Sequence, residues 1–200
     1  IDEFVVPTFG WTREVAITPT SDKIYFVETD KDRLGELDAR NGAVRWYPIP
    51  GQGQQGPHTM NSDADGHIWM GLEDSFNIAR FDTATSGWRL YPPPAGTVFG
   101  VTHDFAYNTD RHVDTDAKGR LWITDMGKNE LWAINKTSGE VSTFRMPLPV
   151  GESHFHALMY GAAIDPKRNR VWWAQLFGNV GSIDTERDVA ERVVPFRKGE

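Results

Sequence analysis

The chain has 200 residues, 39% hydrophobic and 12% aromatic, with nineteen Gly, twelve Pro, eight Trp and no Cys. That is enough apolar material for one sizeable core, while the lack of cysteine rules out a disulfide framework or a thiolate metal site. A net charge of -7 without any dense Lys/Arg run argues against nucleic acid as a partner, because no basic field faces a phosphate backbone. No apolar run approaches the ~20 residues that cross a bilayer, so no membrane span is expected, and residues 1–10 lack the basic and apolar regions of a signal peptide.

In chain order, residues 3–7 (EFVVP) read as an outermost strand similar to residues 191–195 (ERVVP). Four related units then begin at Ser21, Asp63, Asp116 and Asp165. Their aromatic anchors are Tyr25, Trp69, Trp122 and Trp172, spaced by 44, 53 and 50 residues. Their polar anchors, Asp38, Asp82, Asn135 and Asp184, follow 13, 13, 13 and 12 residues later. Within a unit, polar turns such as Asp116-Ala117-Lys118-Gly119 alternate with short aromatic and β-branched runs such as Leu121-Trp122-Ile123-Thr124. This is the hairpin pattern. A terminal Pro, as at Pro147, suits an outer strand, since proline lacks the donor an inner ladder needs.

Four strands per unit at a period of roughly 40–50 residues predict a β-propeller built of four-stranded antiparallel blades. The expected blades are 8–50, 51–94, 95–149 and 150–196, with residues 1–7 as the outer strand of a preceding blade. About four blades are then present, as part of a six- or seven-bladed ring completed by further sequence or by another chain. A closed four-bladed ring and a β-sandwich are the alternatives. The tryptophans Trp69, Trp122 and Trp172 are expected to pack between blades.

The sequence of Gly-x-Ile/Leu-Trp, Asn-x-Ile/Leu, Asp/Asn-x-x-Thr-x-Gly and a Pro-terminated outer strand resembles the virginiamycin B (streptogramin B) lyase-like propellers, and more loosely the NHL-type and gluconolactonase-type propellers. The resemblance implies a seven-bladed propeller that opens a cyclic depsipeptide by elimination, with a divalent metal such as magnesium at the mouth of a central channel. It also implies a catalytic His on the approach to an innermost strand and an acidic partner at the end of the next strand. Counted from the turn Asp, the approach position is His58, then Arg111 with His112 beside it, then Tyr160. The strand-end position is Glu28, Leu72, Asp125 and Gln175. No unit presents His with Glu at both places, and Glu73, one residue past Leu72, is expected on the opposite strand face.

Candidate general bases are therefore His58, His112 and His156. Candidate ligands for Mg²⁺ or Ca²⁺ are Glu28 and Asp125, with Glu152, His154 and His156, whose two imidazoles share a face in an extended segment. Asp104 is placed to orient His103. Two functions compete. One is a metal-assisted lyase or hydrolase acting on a cyclic ester or lactone. The other is a binding propeller or scaffold, periplasmic or secreted, that takes a small-molecule or peptide ligand at the channel mouth. Haem is a weaker third possibility, because Cys-x-x-Cys-His is missing.

Overall fold

The computed structural model describes residues 4–95, 102–108, 112–148, 158–176 and 179–195. Those residues are all-β, a propeller of about four blades, each a four-stranded antiparallel sheet whose strand order follows the chain. The first sheet holds β1 (Thr12–Ile17), β2 (Lys23–Glu28), β3 (Arg33–Asp38) and β4 (Ala43–Pro48). The second holds β5 (Pro57–Ser62), β6 (His67–Leu72), β7 (Ile78–Asp82) and β8 (Gly87–Tyr91). The third holds β9 (Thr102–Phe105), β10 (Arg120–Asp125), β11 (Glu130–Asn135) and β12 (Val141–Arg145). The fourth holds β13 (Met159–Asp165), β14 (Arg170–Gln175), β15 (Asn179–Asp184) and β16 (Val189–Pro195). By contact density the chain divides into two units, Ile1–Leu90 and Tyr91–Glu200.

In the first unit, alternation along β2 sends Tyr25 and Val27 into a core with Met60, Met70, Leu72 and Phe81. Phe81 is fully buried, with ring centroids 4.6 Å from Tyr47 and 4.8 Å from Trp88. Burial of such a side chain contributes about 1.5–3 kcal/mol. In the second unit, Trp122, Leu131, Met159, Ile164, Val171 and Trp173 form the corresponding core.

The polar anchors have a shared task. Asp82 Oδ1 accepts from the backbone N–H of Ala84 and Thr85, Asn135 Oδ1 from Thr137 and Ser138, and Asp184 Oδ1 from Glu186 and Arg187. Asp38 Oδ1 accepts from Arg40 N–H. Each closes the turn into the outer strand as an Asx turn.

The aromatic anchors are joined to the preceding turn. Asp63 Oδ1 takes the backbone N–H of Asp65 and His67, and its Oδ2 takes the Trp69 indole N–H at 2.8 Å. Asp116 repeats this with Lys118, Arg120 and the Trp122 indole at 2.9 Å. A fully buried indole needs a partner for its N–H, and the turn supplies it. Gly66 completes the turn at φ 87°, where a Cβ would lie 2.0 Å from the Thr20 hydroxyl.

The fourth sheet departs from expectation. Its turn is one residue longer, Asp165 to Trp172 being seven positions rather than six. Asp165 instead accepts from the backbone and guanidinium of Arg168 across a 3-10 turn at Pro166–Arg168. Trp172 is left 38% exposed and the buried tryptophan of β14 is Trp173. The outer strand expected over residues 1–7 is also not seen. Residues 1–3 lie outside the described residues, and Phe4 to Pro7 form no strand. Directly after it, Thr8 donates to Glu28 at 2.6 Å.

Candidate functional site

The first strand of every sheet pairs with the second through a register shift at one and the same place. The shift lies between Thr12 and Val15, between Pro57 and Met60, between Thr102 and Phe105, and between Met159 and Ala162. The bulged pairs are thus Arg13-Glu14, His58-Thr59, His103-Asp104 and Tyr160-Gly161. A bulge adds one residue, breaks the two-residue alternation and re-aims the side chain it carries. The sheet-building positions repeat from blade to blade, whereas the first bulge residue is Arg, His, His or Tyr.

In the first unit the bulges of β1 and β5 meet at one carboxylate. His58 Nε2 lies 3.4 Å from Glu73 Oε1, and Arg13 Nη1 lies 4.0 Å from Glu73 Oε2. The expectation that Glu73 points away from His58 is corrected, because alternation was counted through the bulge. The backbone around the site is fixed from both sides. Asp32 Oδ1 accepts from Gln55 N–H at 2.9 Å and Gly56 N–H at 2.8 Å. Glu73 N–H donates to Gly56 O at 2.8 Å, and Thr29 Oγ1 donates to Pro57 O at 2.7 Å. The Arg13 guanidinium stands 5.2 Å from the Trp11 ring centroid.

In the second unit His103 occupies the bulge of β9 and Tyr160 that of β13. Thr124, fully buried, hydrogen-bonds the backbone of both bulges: its Oγ1 accepts from Asp104 N–H at 2.9 Å and donates to Tyr160 O at 3.0 Å. Asp104 Oδ1 accepts from the Tyr107 hydroxyl at 3.1 Å. His112 does not hold the position counted for it. It lies in a long connection leaving the far end of β9, where its N–H donates to Asn108 Oδ1 and its carbonyl accepts from Asn108 N–H. That connection is absent from the other sheets, so counting back from the turn Asp led to residues 111 and 112 instead of His103.

Glu28 and Asp125 were expected as cation ligands. Both are fully buried. Glu28 accepts from Thr8 Oγ1 and from Arg33 Nε at 2.6 Å, with Gly10 packed so closely that a Cβ there would lie 2.4 Å from the carboxyl carbon. Arg33 in turn stacks on Trp46, its guanidinium 3.7 Å from the ring centroid. Asp125 Oδ1 caps the next turn through Gly127 N–H at 2.8 Å. Gln175, at the same strand end of the fourth sheet, donates to Asn129 Oδ1 at 2.7 Å. A carboxylate neutralised by a guanidinium, as Glu28 is, does not fit an Mg²⁺ or Ca²⁺ ion, which needs several oxygen ligands around an open centre. Glu152, His154 and His156 lie outside the described residues. Among the described residues, Asp63, Asp65 and His67 bring ligand-type atoms within 4.8 Å of one another, but Asp63 is the turn residue that already holds Trp69.

No family model and no curated protein matches the sequence. Solved structures do. The chain superimposes on a streptogramin B lyase with a TM-score of 0.75 at 20% identity, covering 99% of this chain and 59% of that one. The fold is that of the streptogramin B lyases. A catalytically inactive histidine-to-alanine variant of virginiamycin B lyase from Staphylococcus aureus, solved with quinupristin, gives 0.71 at 18% identity over 98% of this chain and 58% of its own. The chain thus spans less than three fifths of the lyases it matches. U3-55K reaches 0.70 at 11% identity over 98% of this chain and 55% of its own; likeness at these identities is one of fold, and function has to be argued from the site. No helix among the described residues is long and apolar enough to cross a membrane.

Proposed function

We propose that this chain is a ligand-binding β-propeller module whose recognition site in the first unit is the group Arg13, Glu73 and His58. The observation that carries this reading is the single Glu73 carboxylate held between an arginine and a histidine, both on bulges at the same register position. Such a group offers cationic donors and an acceptor on a rigid backbone, the features of a polar recognition site. Quinupristin, a molecule bound by a protein of the same fold, is the natural first probe. Its titration should move the His58 imidazole resonances in an NMR spectrum, and His58→Ala and Glu73→Gln should each weaken binding. Unaltered binding in both variants would discard the reading.

A second reading, proton abstraction by His58 with Glu73 orienting the ring, is favoured by the His58–Glu73 separation of 3.4 Å. The same geometry counts against it. Nε2 faces Glu73 and Nδ1 is buried, so the ring must turn before a nitrogen reaches a substrate. Liquid chromatography with tandem mass spectrometry of quinupristin after incubation separates the two: elimination gives a linear isomer of unchanged mass with a new retention time and fragment ladder, hydrolysis adds one water, and a binding module leaves mass, retention and fragments as they were.

A further inference from the structure

We infer that Arg13 is the anchor for a ligand carboxylate carried on an apolar or aromatic body, with Trp11 as the shelf beneath it. This deepens the recognition-site reading and rests on it. Arg13 makes no hydrogen bond to any described residue; its nearest carboxylate, Glu73, stands at 4.0 Å, outside hydrogen-bond distance. Its side chain is 32% exposed, so the planar fork of N–H donors is open to a ligand. Guanidinium forks match carboxylates in a bidentate geometry that a point charge does not reproduce.

The orientation of that fork is set in advance. The guanidinium lies over the Trp11 ring, where cation–π attraction restrains it. Trp11 is 64% exposed, yet its backbone is clamped: its N–H donates to Asp30 Oδ1 at 2.6 Å and its carbonyl accepts from Thr29 N–H at 3.0 Å. An exposed indole on a fixed backbone is unusual for a residue with only a packing role. A ligand that fits places its carboxylate on Arg13 and its apolar part along Trp11. Glu73 is held toward His58 on its other oxygen, which limits its competition for the fork.

Free organic acids and the C-terminus of a short peptide present this same chemistry. The test titrates the intact chain with phenylacetate, with an acetylated dipeptide ending in a free phenylalanine carboxylate, and with the neutral amide of each, following tryptophan fluorescence. Both acids, or one of them, should saturate and the amides should not; which acid binds more tightly identifies the source. Arg13→Gln should weaken the acid roughly tenfold or more, the loss expected for a charged hydrogen bond. Arg13→Lys should recover only part of that loss, and Trp11→Ala should weaken binding while the circular dichroism spectrum stays unchanged. Equal binding of acid and amide, no saturation by either acid, or unchanged affinity in Arg13→Gln overturns the proposal. If Arg13→Gln abolishes binding while His58→Ala changes nothing for any probe, the anchor stands and the His58–Glu73 site falls. The converse result removes the anchor alone.

Discussion

Arg13 and His58 stand at the same register position of neighbouring first strands and approach opposite oxygens of one carboxylate, that of Glu73. The three groups are therefore coupled. Removing the anion should lower the pH at which His58 titrates, and removing the guanidinium should raise it. NMR titration of the His58 ring in Glu73→Gln and Arg13→Gln checks both signs. Identical titration curves in wild type and variants would show that the group does not act as a unit in solution.

The indole–carboxylate bond of the third sheet predicts an asymmetry between two tryptophans. Trp122→Phe keeps the aromatic bulk but leaves Asp116, itself buried, one donor short. Destabilisation of about 1–3 kcal/mol is expected. Trp172→Phe, at the equivalent position but exposed and without that bond, should cost much less. Denaturant unfolding of the two variants compares them directly.

What the sequence revealed and what it hid follow from the same repeat. The Asp, Gly, Trp and Asx-turn positions recur because each blade needs the same turns and the same buried aromatic, so blade period and strand content could be read without a structure. The bulges could not. A β-bulge has no residue signature when its first position is Arg, His, His and Tyr, and periodicity carried across it put Glu73 on the wrong face. His103 was hidden for a second reason, the long connection after β9, which shifted the count to His112. Glu28 looked like a cation ligand because a strand-end carboxylate reads the same whether it faces solvent or, as here, Arg33. The one available hint was Arg33 itself, five residues on, at the start of the paired strand.

Acid should loosen the second unit through Asp188. Burial alone would raise its pKa, but hydrogen bonds from Arg120 and Lys118 outweigh this and hold it below the usual carboxylate range. Arg120 also donates to Asp116 and to Thr185 O, tying the turn of the third sheet to that of the fourth. A lowered folded-state pKa contributes stability above the unfolded value of about 3.9, and that contribution disappears as pH falls through the folded value. Asp188→Asn should flatten the stability curve below roughly pH 4. Thermal melts of variant and wild type across the acid range measure the difference, and parallel curves would contradict it.

Alkali should act on the first unit with the opposite sign. The Tyr25 phenol is pushed up to about 12, first by burial and then by the charge of Glu36, to which it donates at 3.2 Å. Tyr47 donates to the same oxygen at 2.9 Å and is raised by burial as well. A raised pKa gives stability that is complete below the unfolded value near 10 and is lost as pH climbs through the folded one. Unfolding should steepen between about pH 10 and 12, and Tyr25→Phe should remove part of that slope while Tyr47 retains the rest.

The bond between turn and indole also constrains how blades can diverge. Where the anchor is tryptophan in the second and third sheets, the residue six positions before it is Asp; where it is Tyr25, that position is Pro19, and the phenol donates to Glu36 on the paired strand instead. The polar tip of the aromatic thus dictates where its acceptor stands, in the turn for an indole and across the ladder for a phenol. Exchanging one aromatic for the other draws a second position with it, and a double-mutant cycle on Asp116→Ser and Trp122→Tyr should show the coupling energy of a shared bond.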